Sequence, residues 1–131
     1  MILLDTHILV WLVSDSNRLS HDAAREMRKA EQRGELAIAS ITLWELALLY
    51  HQGRLRTSGS IESAIRTILE KSRVQVIEVT PEVAALTTTF PEDYPKDPGD
   101  RLIGATARAY GLTLITQDQR ILNSPLIRSL W

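Results

Sequence analysis

Short apolar stretches alternate with longer segments of helical periodicity along the chain. The stretches that predict β-strands are ILL at 2–4, ELAIAS at 35–40, VQVIEV at 74–79 and LTLIT at 112–116. Between them, apolar residues recur at helical spacing, and Gly34, Gly53 and Gly111 stand where helices would end. The tail PLIRSLW fits a last short strand. This alternation predicts an α/β domain with a central, mainly parallel sheet that is covered by helices on both faces.

Six segments are predicted to form helices, and some of their ends carry capping residues. The segments are HILVWLV, SHDAAREMRKAEQRG, ITLWELALLYHQG, IESAIRTILEKS, PEVAALTTTF and RLIGATARAY. Thr80 and Pro81 match an N-cap and a first helical position. Because a residue before proline is pushed out of the α region, Asp97 is the predicted N-cap of the helix that Pro98 begins. Asp100 then becomes the third helical residue, and its carboxylate is free to face elsewhere.

Two features of the predicted helices concern packing. Gly104 stands in mid-helix, where glycine is less favourable than alanine by about 1 kcal/mol, so it predicts close packing against a neighbour. Trp44, Leu48 and Leu49 form an apolar stripe at helical spacing. We expect this stripe to lie in the core or in a subunit interface.

Length and composition limit the classes of protein to consider. A chain of 131 residues suits one domain, residues 1–131, with 44% hydrophobic and 24% charged residues as in globular proteins. The longest apolar runs are too short to span a bilayer, and no basic segment opens a signal peptide. The absence of cysteine excludes disulfides and thiolate-bound zinc, and fits a cytoplasmic location. Because the net charge is −1, binding a polyanion would require a bound cation or a local basic patch.

Four carboxylates stand where the predicted elements meet one edge of the sheet. Asp5 follows the first strand, and Glu45 lies in the first turn of the helix after the second strand. Asp100 opens the helix before the fourth strand, and Asp118 follows that strand. Sites in such sheets form outside the carboxyl ends of the strands, and clustered carboxylates repel unless a cation joins them. Oxygen ligands alone favour Mg²⁺, with Mn²⁺ as an alternative, and such ions promote phosphodiester hydrolysis.

Each of these carboxylates also has a purely structural explanation. Asp5 could cap the helix that follows it, Asp118 could cap a short turn through QRIL, and Thr42 and Glu45 could form a capping box. A non-catalytic binding module or a phosphoacceptor domain therefore stays open as an alternative, although a phosphoacceptor normally carries an adjacent acidic pair. The histidines lack the HExxH spacing of a zinc site. We expect His7 to pack beside the first helix rather than to act in catalysis.

The motifs resemble those of a known family in order and spacing. LLDTHILVWL, ASITLWELALL, DPGDRLIGATARAYGLTLITQD and a terminal tryptophan are similar to the PIN-domain ribonucleases, and most similar to the VapC toxins of toxin–antitoxin pairs. The resemblance covers essentially the whole chain. It implies a three-layer α/β/α PIN-like domain with an acidic pocket that binds Mg²⁺ or Mn²⁺ and cleaves RNA. On matching positions it implies four metal ligands and an accompanying hydroxyl, namely Asp5, Glu45, Asp100, Asp118 and Thr116.

The resemblance also implies partners. Members of the family usually dimerise and are held inactive by a cognate antitoxin, so RNA, a VapB-like antitoxin and a second copy of the chain are the expected partners. Since a guanidinium suits an acidic pocket, the antitoxin tail is expected to place an Arg or Lys there. Many relatives carry a His-Arg pair just before the DPxD motif, where this chain has Pro95 and Lys96. This departure concerns substrate contacts rather than the metal site.

Overall fold

Five parallel strands form the centre of the molecule. The computed structural model describes all 131 residues, and its strands are β1 Ile2–Leu4, β2 Leu36–Ala39, β3 Gln75–Ile77, β4 Thr113–Ile115 and β5 Ser129–Leu130. Their order across the sheet is β3-β2-β1-β4-β5, and every neighbouring pair is parallel. The chain begins in the central strand, adds β2 and β3 on one side, and then returns to add β4 and β5 on the other. The strand order thus changes direction between β1 and β4.

Seven helices connect and cover these strands. They are α1 Thr6–Ser14, α2 His21–Gln32, α3 Ile41–His51, α4 Ile61–Ser72, α5 Pro81–Leu86, α6 Pro98–Tyr110 and α7 Gln119–Leu122. All six predicted helical segments contain a helix, but the fifth is shorter than predicted, because the α-helix ends at Leu86 and a 3-10 turn follows over Thr87–Thr89. The short helix α7 forms where the sequence indicated only a turn. The predicted strand at 74–79 is too long, because only Gln75–Ile77 pairs with β2, which itself ends at Ala39 opposite Ile77. The final short strand is confirmed as β5.

The side chains of the sheet alternate between two apolar layers. Leu3, Ala37 and Leu114 face the layer formed with α5 and α6, whereas Leu4 and Ile115 face the layer formed with α1, α2 and α4. These strand residues are fully buried, so the sheet has no solvent-facing side at its centre. Two buried faces require apolar residues at successive strand positions. The predicted three-layer α/β/α architecture is therefore confirmed.

Capping residues position the ends of the helices as predicted. The side chain of Thr80 accepts a hydrogen bond from the amide of Val83 at the start of α5. Asp97 likewise accepts from the amide of Asp100 at 3.2 Å, which makes Asp97 the N-cap of α6. Gly111 ends α6 in the left-handed conformation, with φ of 64°, which favours glycine.

The segment that leads into α6 packs on that helix at Gly104. A Cβ atom at Gly104 would collide with the hydroxyl of Tyr94 and would lie 2.9 Å from Ile127 Cδ1 and 3.0 Å from Phe90 Cζ. The rings of Phe90 and Tyr94 stack with their centroids 4.2 Å apart. The close packing predicted for Gly104 is confirmed, and it holds the loop before Asp97 against the helix that follows it.

One apolar face remains outside the core. Trp44 on α3 is 56% exposed, so the alternative that its stripe lies in the core of this chain is wrong for Trp44. Leu48 and Leu49 are partly buried. A subunit interface at this stripe stays a prediction. None of the helices combines the length and the hydropathy that crossing a membrane requires.

Candidate functional site

A cleft opens at the carboxyl ends of the central strands, where the strand order changes direction. It has a volume of about 420 Å³. This is the position at which ligand sites form in open α/β sheets. The lining residues are Asp5, Thr6, His7, Ile8, Trp11, Glu45, Asp97, Asp100, Gln117 and Asp118. The four acids that the sequence analysis assigned to one rim therefore all border the same cleft.

Asp5 joins the central strand to the first helix and has both carboxylate oxygens engaged. Oδ1 accepts a hydrogen bond from the main-chain amide of Thr6 at 2.8 Å, and Oδ2 accepts from the hydroxyl of Thr116 at 2.8 Å. Burial raises the pKa of Asp5 and outweighs these hydrogen bonds and His7, which lower it. Asp5 is the N-cap of α1, as the structural explanation proposed, and it also faces the cleft.

Thr116 lies behind the cleft rather than in its lining. The residue is completely buried just after β4. Its hydroxyl donates to Asp5 and accepts a hydrogen bond from the main-chain amide of Asp118 at 3.1 Å. Thr116 thus connects the two acids that follow β1 and β4, and fixes their orientation without facing the cleft itself.

Glu45 lies in the second turn of α3, not in the first turn as the sequence analysis expected, because the helix begins at Ile41. Its Oε1 accepts a hydrogen bond from the hydroxyl of Thr6 at 2.6 Å. The capping-box explanation for Glu45 is wrong. The N-cap residue is Ser40, its side chain makes no capping bond, and the Thr42 hydroxyl bonds to Thr6 instead.

The other oxygen of Glu45 lies against the first turn of α6. A Cβ atom at Gly99 would stand only 2.5 Å from Oε2, so the absence of a side chain there lets the helix approach the carboxylate. Burial raises the pKa of Glu45, and the charges of Asp5 and Asp97 raise it further.

Asp100 faces the cleft from the first turn of α6 without a hydrogen-bond donor or a basic partner. Its carboxylate accepts no hydrogen bond from the protein, since the capping contact of its own amide goes to Asp97. Burial raises its pKa to about 7, with further contributions from the charges of Asp5, Asp97, Glu45 and Asp118. The charged form of Asp100 is therefore unfavourable in this environment unless a cation compensates it.

Asp118 follows β4 and caps the short helix α7. Its Oδ1 accepts from the main-chain amide of Arg120 at 2.9 Å, and its Oδ2 lies 3.6 Å from the guanidinium of the same residue. Asp5, Glu45 and Asp100 have no such ion pair. The capping explanation therefore holds for Asp118 as it does for Asp5, but it accounts for neither Glu45 nor Asp100.

The donor chemistry of the cleft suits a hard divalent cation. Carboxylate oxygens are the ligands that Mg²⁺ and Mn²⁺ prefer. In the present placement, no three acidic or histidine side chains stand close enough together to share one ion. One or two of these carboxylates with water can bind Mg²⁺, and Asp100 is the one of the four acids whose carboxylate accepts no hydrogen bond from the protein.

Sequence reasoning missed several residues of the cleft. Nothing in the sequence near Thr6 or Thr42 indicates that the two side chains are in contact. Thr6 simply follows Asp5, and Thr42 resembles the first residue of a capping box. His7 was expected to pack beside α1, yet it is exposed and lines the cleft, with its ring centroid 6.5 Å from that of Trp11. Trp11 also borders the cleft, although helical periodicity alone marks it as a core residue.

Comparison with known proteins agrees with this fold. A family model described as PIN domain matches residues 2–124. Ribonuclease VapC22 from Mycobacterium tuberculosis is 38% identical over 120 residues, which cover 92% of this chain and 88% of that protein.

Solved structures share the fold over nearly their whole length. VapBC2 from Rickettsia felis, bound to a promoter DNA fragment, has a TM-score of 0.75 at 21% identity and covers 100% of this chain and 99% of its own. A toxin–antitoxin complex from Klebsiella pneumoniae has a TM-score of 0.68 at 23% identity, with 100% and 97% covered. At these identities the solved structures show the fold alone. The family is shown by the match to the PIN domain family and by the 38% identity to VapC22. The chain belongs to the PIN-domain family and resembles its VapC members.

Proposed function

We propose that this chain is a metal-dependent endoribonuclease, the toxin of a toxin–antitoxin pair, which hydrolyses RNA phosphodiester bonds at the acidic cleft. The observation that carries the proposal is the trio Asp5, Glu45 and Asp100, which share one cleft, form no ion pair and have raised pKa values. Neighbouring buried carboxylates are unfavourable unless a cation compensates their charge. The 38% identity to a ribonuclease supports the choice of RNA as substrate.

Asp5, Glu45, Asp100 and Asp118 would hold the ion, with Mg²⁺ as the expected metal and Mn²⁺ as the alternative. When bound, such an ion polarises a phosphoryl oxygen and lowers the pKa of water. The chain itself orients the carboxylates. Thr116 holds Asp5, and Thr6 holds Glu45, whereas the Asp100 carboxylate accepts no hydrogen bond from the protein. The apolar faces of the sheet provide the rigid base from which these side chains project.

Partners follow from the same family relationship. We infer a VapB-like antitoxin that covers the cleft and places an Arg or Lys among the carboxylates, because a guanidinium matches their charge and geometry. The relatives solved as VapBC and toxin–antitoxin assemblies support this partner. We also infer a homodimer, for which the exposed Trp44 stripe offers an apolar surface, and a single domain over residues 1–131.

A non-catalytic binding module is the second candidate. The capping bonds of Asp5 and Asp118 favour it, because they explain two of the four acids without a metal. Asp100 discriminates between the two functions, since its carboxylate has no capping role. A binding module would cleave RNA neither with Asp100 nor with a substitution at this position, so the substitution would not change the RNA.

Cleavage of RNA by the chain without its antitoxin tests the proposal. RNA ends would be mapped after induced expression, and purified protein would then be assayed on the identified RNA with Mg²⁺, Mn²⁺ or a chelator. We expect cleavage by the wild type and by Asp22→Asn, an exposed acid on α2 outside the cleft, but not by Asp100→Asn. New RNA ends that also appear with Asp100→Asn, or cleavage that survives chelation, would contradict it.

A further inference from the structure

Two buried threonines connect the first helix to Glu45. Thr6 is the first residue of α1, and Thr42 is the second residue of α3. Their hydroxyl oxygens are 2.9 Å apart, and the Thr6 hydroxyl lies 2.6 Å from Oε1 of Glu45. Thr6 is 3% exposed and Thr42 is completely buried, so the contact between the two hydroxyls is shielded from solvent.

The proton count gives this hydroxyl chain a direction. An ionised carboxylate only accepts hydrogen bonds, so the single hydroxyl proton of Thr6 goes to Glu45. The Thr6 oxygen must then accept from Thr42, whose hydroxyl makes no other hydrogen bond. A separation of 2.6 Å is typical of a hydroxyl that donates to a charged carboxylate. The order is therefore Thr42 to Thr6 to Glu45.

Thr6 also contacts the neighbouring acid. Its main-chain amide donates to Oδ1 of Asp5, while its hydroxyl donates to Glu45. One residue thus orients two carboxylates that come from different elements, the end of β1 and the second turn of α3. Neither Thr6 nor Thr42 was among the predicted site residues.

We propose that Thr6 and Thr42 are positioning residues, which hold Glu45 at a fixed place beside Asp5 so that both carboxylates can bind one divalent cation. The inference rests on the proposed metal-dependent function and adds to it the residues that orient the cleft. Hydrogen-bond partners behind metal ligands typically change metal affinity by about 10–100-fold when they are removed. Thr116 performs the corresponding task for Asp5 on the other side of the cleft.

Isosteric variants test the hydroxyl chain. Thr6→Val removes the hydroxyl but keeps the shape, and Thr6→Ser keeps the hydroxyl. Mn²⁺ binding to the RNA-free protein would be measured by calorimetry, together with kcat and KM for RNA. We expect Thr6→Val to weaken Mn²⁺ binding by about tenfold or more and to lower kcat with little change in KM. Thr6→Ser should restore both to within about threefold of the wild type.

Variants of Thr42 test whether the two threonines form one hydrogen-bond chain or make two independent contacts. Thr42→Val should weaken Mn²⁺ binding in the wild type but have no further effect in the Thr6→Val background, because Thr42 acts through Thr6. Additive losses in the double variant would overturn the chain, and so would wild-type Mn²⁺ affinity in Thr6→Val. If Thr6→Val does not fold, the comparison of Thr42→Val with Thr42→Ser decides the question by the same criterion.

The wild type and Asp100→Asn separate failure of this inference from failure of the proposed function. A wild type that neither binds Mn²⁺ nor cleaves RNA would end both. A wild type that does both, loses both in Asp100→Asn and keeps both in Thr6→Val would overturn the threonine chain alone.

Discussion

The main-chain amide of Asp100 donates a hydrogen bond to Oδ1 of Asp97 at 3.2 Å, so the two aspartates of the DPGD sequence have different tasks. Asp97 closes the N-terminus of α6, and Asp100 presents an unengaged carboxylate to the cleft. The division arises from Pro98, which occupies the first helical position and keeps the residue before it out of the helix.

Replacing each aspartate should therefore affect a different property. We expect Asp97→Ala to lower the free energy of unfolding by about 0.5–2 kcal/mol, the usual effect of a lost N-cap, and to keep appreciable RNA cleavage. Asp100→Ala should abolish cleavage and leave the metal-free stability unchanged or higher, because it removes one of several repelling carboxylates. Urea denaturation and a cleavage assay would measure the two effects.

Asp97→Asn is the matched control for this pair, since asparagine also caps helices. It should retain both stability and cleavage. A stable but inactive Asp97→Ala together with an active but unstable Asp100→Ala would mean that the third metal ligand had been assigned to the wrong aspartate.

The metal-free protein should become less stable as the pH rises. The pKa of Asp100 is raised from 3.8 to about 7 in the folded chain, and those of Asp5 and Glu45 are raised as well. Because the folded state holds these protons more tightly than the unfolded state, their stabilising effect is complete below the unfolded pKa and is lost as the pH rises through the folded pKa. The free energy of unfolding in chelator should therefore fall as the pH rises from about 4 to about 7, between the unfolded and folded pKa values of Asp100.

Asp100→Asn isolates the residue responsible. It should flatten the pH dependence over this window, whereas Asp22→Asn, on the exposed surface of α2, should not. An unchanged slope in Asp100→Asn would show that its carboxyl titrates near the ordinary value in solution.

Divalent cations should stabilise the free chain. An ion that binds only the folded state adds RT ln(1 + [L]/Kd), which is about 2.7 kcal/mol when the ion is at 100 times its Kd. A thermal scan with millimolar Mg²⁺ or Mn²⁺ should show a rise in Tm that shrinks in Asp5→Asn. The rise should also be larger at about pH 8 than at about pH 5, since protons compete with the ion for Asp100. Equal shifts in the wild type and in Asp5→Asn would refute binding at this cleft.

Because Tyr94 and Gly104 are in contact, substitutions at the two positions should have non-additive effects on the free energy of unfolding. Gly104→Ala places a Cβ against the Tyr94 hydroxyl, and overpacking of this kind typically costs about 1–3 kcal/mol. Alanine recovers roughly 1 kcal/mol of helix propensity, so we expect a smaller net loss of stability. In a Tyr94→Phe background the loss from Gly104→Ala should shrink, because the colliding oxygen is gone. Strictly additive effects in urea denaturation would contradict this packing.

Local sequence chemistry determined much of the fold. Short apolar stretches that alternate with segments of helical periodicity were sufficient to predict a parallel sheet with helices on both faces. This is possible because strands and helices each impose a characteristic spacing on their buried residues. The proline after Asp97 determined the cap of α6, and the glycine at 111 determined its end. The order and spacing of the acidic motifs indicated the family, and all four acids border one cleft.

Only the tertiary structure decided how those acids are held. Thr116 bonds to Asp5 across 111 positions of sequence, and Thr6 bonds to Thr42 across 36 positions. Such contacts depend on which strands are neighbours in the sheet, and local periodicity does not encode that order. The length of the edge strand β3 was also decided by the structure. Alternation of side chains predicted a strand over 74–79, but β3 ends where its short partner β2 ends. The sequence thus identifies the carboxylates, whereas the packing of α1, α3 and β4 determines which of them accept hydrogen bonds and which does not.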